Sequence, residues 1–134
     1  MAVAAAVRVG IDLVEVTSVR QSLRTHAQRY LDRIYTEAEV ADCRTTAGVR
    51  AEGLAARFAA KEAVLKVLRP GDEGVAWRAI EVVREPAGWT SLRLSGRAAE
   101  LAEQARITEL AVSLSHEGPL ATAVVVAMLD QEAE

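Results

Sequence analysis

The sequence predicts a fold that mixes helices with hairpin-joined strands, and three observations carry that reading. Residues 7–16 and 121–129 are Val/Ile-rich or near-continuously apolar, as strands are. Glu85-Pro86-Ala87-Gly88 and Glu117-Gly118-Pro119 have turn chemistry and join neighbouring strands as hairpins. Residues 54–68, LAARFAAKEAVLKVL, read as a helix stopped by Arg69-Pro70-Gly71.

The elements follow in order. In the first strand, 7–16 (VRVGIDLVEV), Gly10 permits close approach of another backbone. Thr17 or Ser18 is the expected N-cap of a helix running to about residue 28. Thr36, followed by Glu39, matches a capping box that opens a short helix towards Cys43. Residues 45–53, with Gly48 and Gly53, read as a loop or a helix start. On the helix at 54–68, Ala56, Ala60, Ala63 and Val67 line one side, suited to close packing. Leu54, Phe58, Lys61, Glu62, Leu65 and Lys66 take the broad opposite side and place the charges on a separate edge. A strand pair at 78–84 and 91–95, a helix at 96–106 and strands at 110–116 and 121–129 complete the series. The last strand is apolar on both sides and needs cover on both, from helices or from a second subunit. Residues 130–134 read as a frayed acidic tail. No repeat or linker divides the chain, so residues 1–134 are expected to form one domain.

Composition narrows the function. Of the 134 residues, 51% are hydrophobic and 26% charged, the profile of a folded soluble chain. A net charge of −3 argues against a nucleic-acid coat. No apolar run reaches about 18 residues, which argues against a membrane span. The lone Cys43 excludes an internal disulfide framework or a Cys-rich zinc site. The start lacks the order of a signal peptide, and a cytoplasmic protein is expected.

The charge is unevenly distributed. Residues 1–69 hold eleven basic and eight acidic side chains, residues 70–134 five and eleven. Arg20 and Arg24 are four apart and share a helix face, with Arg29 and Arg33 just beyond. That face is either a solvated surface or a docking site for an acidic partner. Of the sixteen basic residues only Lys61 and Lys66 are lysines. A compact ammonium and a planar guanidinium are not interchangeable at a tight site, so their survival together points to a requirement there.

Several residues are candidates for chemistry. Asp12 lies inside an apolar strand, where a buried carboxylate needs a partner or a metal; a strand-end carboxylate capping nearby backbone is the alternative. Glu15, three residues on, points to the opposite face. Glu62 either forms an ordinary helix-surface pair with Lys66 or belongs, with Arg57, Lys61 and Lys66, to a cluster suited to a phosphate ligand and a divalent cation. His116 ends a strand beside Ser115. The residues argue against a Ser-His hydrolase, because no G-x-S-x-G elbow is present and the two side chains point to opposite faces.

Three blocks, GIDLVEV at 10–16, RFAAKEAVLK at 57–66 and VSLSHE at 112–117, together resemble the 4′-phosphopantetheinyl transferases of the holo-acyl-carrier-protein synthase type, in that family's order and spacing. Weaker support comes from 33–40, 79–83, 92–96 and the closing ATAVVV. The resemblance implies a small α+β domain, an antiparallel sheet packed against a long central helix, assembling as a homotrimer with sites between subunits. It implies transfer of the phosphopantetheine arm of coenzyme A to a serine of an acidic acyl carrier protein, releasing adenosine 3′,5′-bisphosphate. Asp12 and Glu62 then hold Mg²⁺, and Lys66 lies by the reacting phosphate. Arg57, Lys61, Ser115 and His116 surround the coenzyme A phosphates and adenine, and Arg20 and Arg24 dock the carrier. Glu62 or a water held near Asp12 takes the serine proton. The competing expectations are a non-catalytic carrier-binding or assembly domain of the same fold, and an unrelated metal-dependent phosphatase or nucleotide binder. The chain departs from the family pattern in two places: Gly88-Trp89-Thr90 stands where a Gly-x-Pro is usual, and Ala79 where an Asp is common.

Overall fold

The computed structural model describes residues 5–130. Strand β1 (Ala5–Glu15) leads into α1 (Val16–His26), α2 (Gln28–Ile34) and α3 (Glu37–Cys43). The two-residue strands β2 (Arg44–Thr45) and β3 (Gly48–Val49) precede the long helix α4 (Ala51–Leu68). A short 3₁₀ turn at Trp77–Ala79 precedes the hairpin of β4 (Ile80–Arg84) and β5 (Thr90–Leu94). Helix α5 (Gly96–Gln104) and the long hairpin of β6 (Ile107–Glu117) and β7 (Leu120–Asp130) close the chain. The main sheet is antiparallel in the order β1-β7-β6, so the first and last strands pair and β7 lies in the middle. The expected α+β architecture, an antiparallel sheet on a long helix, is what the chain adopts. Of the expected acidic tail, residues 131–134 lie outside the described residues.

Local chemistry accounts for most boundaries. The capping box forms in full: Glu39 N–H donates to Thr36 Oγ1, and Thr36 N–H donates to Glu39 Oε1. Two expectations are corrected. Glu15, not Thr17 or Ser18, occupies the N-cap of α1 and makes no side-chain cap there. The Val16 N–H donates instead to Pro119 O in the β6–β7 turn, so tertiary structure supplies the missing acceptor. The first helix also ends at Ala27, whose φ of 49° breaks the run. The break re-aims the chain, and Val16 and Val19 of α1 then share one core with Leu31 and Ile34 of α2.

Helix α4 is the centre of the molecule. It begins three residues earlier than predicted and is stopped by Arg69 in the left-handed region, with the Arg69 N–H donating to Leu65 O. The two-sided picture of this helix needs correction. Thirteen of its residues are buried, on every side, and Phe58, Glu62, Leu65 and Lys66 reach outward in its middle and last turns. Its alanines let the main sheet lie against one side while α1, α3 and β4 close the others.

Gly10 shows how close that packing is. A Cβ there would stand 2.2 Å from the Ala63 carbonyl oxygen of α4. Backbone cannot swing away as a side-chain end can, so Gly10→Ala is expected to destabilise the fold by about 3 kcal/mol, the upper part of the usual overpacking range. Urea unfolding of the two proteins measures this, and equal midpoints would contradict it.

Residue parity divides the main sheet. Gly10, Asp12 and Val14 of β1 share a face with Ala121, Ala123 and Val125 of β7, against α4. On the other face Val7, Val9, Ile11 and Leu13 are 55–61% exposed, flanked by Leu120 and Met128. Among the described residues, the cover predicted for both sides of β7 is therefore present on one side only.

Candidate active site

Asp12 and Glu62 come together where β1 crosses α4. Asp12 points to the helix because it alternates with the outward Ile11 and Leu13, and Glu15 falls on the opposite face as predicted. Lys66, at the outer edge of α4, reaches across to β1. Its Nζ donates to Ile11 O at 2.6 Å and stands 3.4 Å from Asp12 Oδ1. The i,i+4 surface pair is thus not the arrangement found: Lys66 pairs with Asp12 on another element. Glu62 makes no hydrogen bond or ion pair among the described residues, yet it feels both neighbours. Its carboxyl is held above its ordinary range, first by burial and then by the Asp12 charge, with Lys66 working in the opposite direction.

Two carboxylates that repel each other across a half-buried edge have the charge and donor chemistry that suit a hard cation. Mg²⁺ is commonly held by one or two carboxylates, with substrate phosphates and waters completing its shell. A closed all-protein cage is not needed, and no group of three or more metal-ligating side chains occurs among the described residues. The residues present fit the ion.

Lys61 does not join this cluster. It is fully buried, with Nζ 2.8 Å from a Glu39 carboxylate oxygen and donating to Trp77 O at 3.1 Å and to Ile80 O. Burial lowers the pKa of its ammonium, and the Glu39 charge opposes that shift. Glu39 is also fully buried and accepts from the Val82 N–H. The pair ties α3, α4 and β4 together, and removing one partner would leave a buried charge uncompensated. This corrects the expectation that Lys61 contacts coenzyme A: in this fold its ammonium is occupied inside the core.

Arg57, Ser115 and His116 lie in a different place. They line a groove of about 780 Å³ between the open edge of β6, the N-terminal half of α4 and the β4–β5 turn. Arg50 and Arg84, which the sequence reading did not single out, line it too, as does Trp89 of the Gly88-Trp89-Thr90 turn. Arg57 is largely buried, donates to Gly53 O and lies 3.9 Å from Asp42, and its Nε has no partner among the described residues. Ser115 and His116 do take opposite faces, since His116 pairs with inward Ala121 and Ser115 with Thr122.

The basic surface also separates into two parts. Arg20 forms a 2.9 Å ion pair with Glu52 and, with Arg24 and Arg50, borders a shallow hollow of about 400 Å³. Arg29, Arg33 and His26 rim a second cleft of about 390 Å³, walled by Tyr30, Ile34, Phe58 and Trp77. Phe58 and Trp77 pack with ring centroids 5.1 Å apart. Phe58 is one helical turn before Glu62, so this cleft opens on the same edge of α4 as the carboxylate. The separate spacing patterns of Arg29/Arg33 and Phe58 gave no sign that they meet.

A sheet-and-helix scaffold bears two carboxylates and an ammonium at one edge and an arginine-lined groove at another, an arrangement whose charges suit a cation and an anionic ligand. The chain belongs to the 4′-phosphopantetheinyl transferase superfamily, whose model matches residues 8–125. It is similar to the holo-[acyl-carrier-protein] synthase of Chloroflexus aggregans, 48% identical over 132 residues that cover 90% of this chain and 94% of that one. Among solved structures it is similar to the Chronobacterium ammoniagenes ACPS–CoA complex, at 33% identity and a TM-score of 0.79, covering 95% of this chain and 99% of that one. It is also similar to Helicobacter pylori holo-[acyl-carrier-protein] synthase in complex with coenzyme A, at 27% identity and a TM-score of 0.77 over 90% of this chain and 99% of that one.

Proposed function

We propose that this chain is a holo-acyl-carrier-protein synthase, transferring 4′-phosphopantetheine from coenzyme A to a serine of an acyl carrier protein. The observation that carries the reading is the meeting of Asp12, Glu62 and Lys66 at one edge, in a chain 48% identical to a protein of that name. The serine oxygen bonds to the phosphorus that bears the pantetheine. The bond from that phosphorus to the bridging oxygen breaks, and adenosine 3′,5′-bisphosphate leaves. The serine proton is assigned to Glu62 or to a water held near Asp12. Lys66 balances negative charge on the phosphate and keeps Asp12 oriented through their contact. Asp12 and Glu62 are assigned as the Mg²⁺ ligands; the ion, when bound, neutralises charge on the pyrophosphate oxygens. The test is the intact mass of an apo carrier protein incubated with this chain, coenzyme A and Mg²⁺. A gain of one phosphopantetheine group supports the reading, and binding without a gain supports the non-catalytic domain.

We further assign the complete site to two copies of the chain. β1 and β6 are opposite edges of the main sheet, and Arg57 and Glu62 are five residues apart on a buried helix, about 140° around its axis. The groove and the carboxylate edge therefore face different directions within one chain. Pairing them across neighbours in a homotrimer gives coenzyme A access to both, and the open apolar face of β1 supplies a surface for such contact.

Carrier docking is assigned to the basic surface of α1 and α2. Arg29 and Arg33, beside the Phe58 cleft, lie nearer Glu62 than Arg20 does: the Glu52 that holds Arg20 is ten residues back along α4, about 15 Å. Arg29→Glu with Arg33→Glu is expected to raise the KM for carrier protein about tenfold, with the KM for coenzyme A unchanged. Arg20→Glu with Arg24→Glu is expected to raise it less, and added salt to weaken the wild-type interaction. Steady-state kinetics with each substrate varied decides this; a larger effect at Arg20 and Arg24 returns docking to them.

A further inference from the structure

Trp89 is the one large exposed hydrophobic residue, among the described residues, that lies off the open face of the main sheet. Val7, Val9, Ile11, Leu13, Leu120 and Met128 all belong to that face, whereas Trp89 stands in the β4–β5 turn at 61% exposure. The turn around it is well defined. The Glu85 N–H donates to Trp89 O, the Gly88 N–H donates to Glu85 O, and Ser91 Oγ donates to a Glu85 carboxylate oxygen. Gly88, at φ 100°, takes the left-handed geometry that the turn requires. The backbone is thus held while the indole is left in water at the wall of the groove that also contains Arg50, Arg57, Arg84 and His116.

Three guanidinium groups, an imidazole and an exposed indole around one groove suit a ligand that carries both phosphates and a flat aromatic base. We propose that Trp89 is a specificity-determining residue of this chain, stacking on the adenine of coenzyme A while the arginines take its phosphates. This rests on the transferase reading and goes beyond it, because Trp89 fills the unspecified middle position of the turn where the family pattern has Gly-x-Pro, with Thr90 in the place of the Pro. A planar indole offers a purine, as it would any base, a face to stack on.

The experiment is titration of the full chain with adenosine 3′,5′-bisphosphate and with coenzyme A, followed by tryptophan fluorescence and calorimetry. The chain has two tryptophans, so Trp77→Phe isolates Trp89. The nucleotide is expected to quench the Trp77→Phe protein and to leave the Trp89→Ala protein nearly unquenched. Trp89→Ala is expected to weaken nucleotide binding and raise the KM for coenzyme A about tenfold, with kcat, the KM for carrier protein and the melting temperature unchanged. Trp89→Phe should recover most of the loss. If wild type binds coenzyme A and transfers the group while Trp89→Ala binds equally well, the stacking role is overturned and the transferase reading stands. A rise in the KM for carrier protein alone assigns Trp89 to a protein contact and also overturns it. If wild type neither binds coenzyme A nor modifies a carrier, both readings fall.

Discussion

Glu62→Gln is expected to lower phosphopantetheine transfer roughly a thousandfold, about 4 kcal/mol of barrier, and to leave the melting temperature unchanged or slightly raised. The two halves of that expectation have one cause. Glu62 is half-buried, makes no ion pair among the described residues and shares its edge with the like-charged Asp12, so its charge opposes the folded state. Gln keeps the shape, removes that repulsion and cannot take the serine proton. Asp12→Asn should be similarly inactive. It loses only a 3.4 Å contact to a lysine that is 52% exposed, so its change in stability should stay within about 1 kcal/mol. Mg²⁺ affinity, measured by calorimetry without substrate, should fall in both variants. Near-wild-type turnover in either would remove that carboxylate from the site. A large drop in melting temperature would recast the pair as structural.

The contrast with Lys61 shows how far the sequence could be read. The scarcity of lysine drew attention to both Lys61 and Lys66, and the structure places the two in different surroundings. Lys66 serves an exposed edge and meets a carbonyl and a carboxylate. Lys61 is enclosed by three acceptors, on Glu39, Trp77 and Ile80, one for each of its three protons, where a five-donor guanidinium has no room. Sequence spacing placed both on the broad side of α4, because helical periodicity gives direction around an axis but not what fills that direction. Here β4 and α3 lie over Lys61 while Lys66 faces β1 at the surface. The capping box identified Glu39 and one of its carboxylate oxygens; the other, which accepts from Val82, depends on a contact 43 residues away. Strands and hairpins were legible because turn chemistry and alternation are local. The break at Ala27 was not, since no Gly, Pro or Asn marks it and the packing of Leu31 and Ile34 imposes it. The groove was half legible: Arg57, Ser115 and His116 were identified from motif blocks, whereas Arg50, Arg84 and Trp89 reach it only through the fold.

Val9→Asp is expected to yield a folded chain that sediments as a monomer and transfers no measurable phosphopantetheine. Val9 is 61% exposed in the single chain, so a carboxylate there meets water and leaves the core untouched. In an assembly built on the β1 face the same position is buried. Each of Val7, Val9, Ile11 and Leu13 then gains about 1 kcal/mol from the part of its side chain still outside, and an unpaired charge among them costs several. The activity loss should be indirect. By strand parity the Val9 side chain points away from Gly10, Asp12 and α4, so the substitution leaves the Asp12, Glu62 and Lys66 edge of its own chain in place. Under the proposed two-copy site, what it removes is the neighbour whose Arg57, His116 and Trp89 face that edge. Mixing Val9→Asp chains with a Glu62→Gln protein, whose groove is intact and whose carboxylate edge is inactive, separates the two explanations. Recovery of activity in mixed oligomers, formed at high protein concentration, would show the carboxylate edge intact and the groove supplied from another copy. A monomeric Val9→Asp protein with full turnover would place the whole site within one chain.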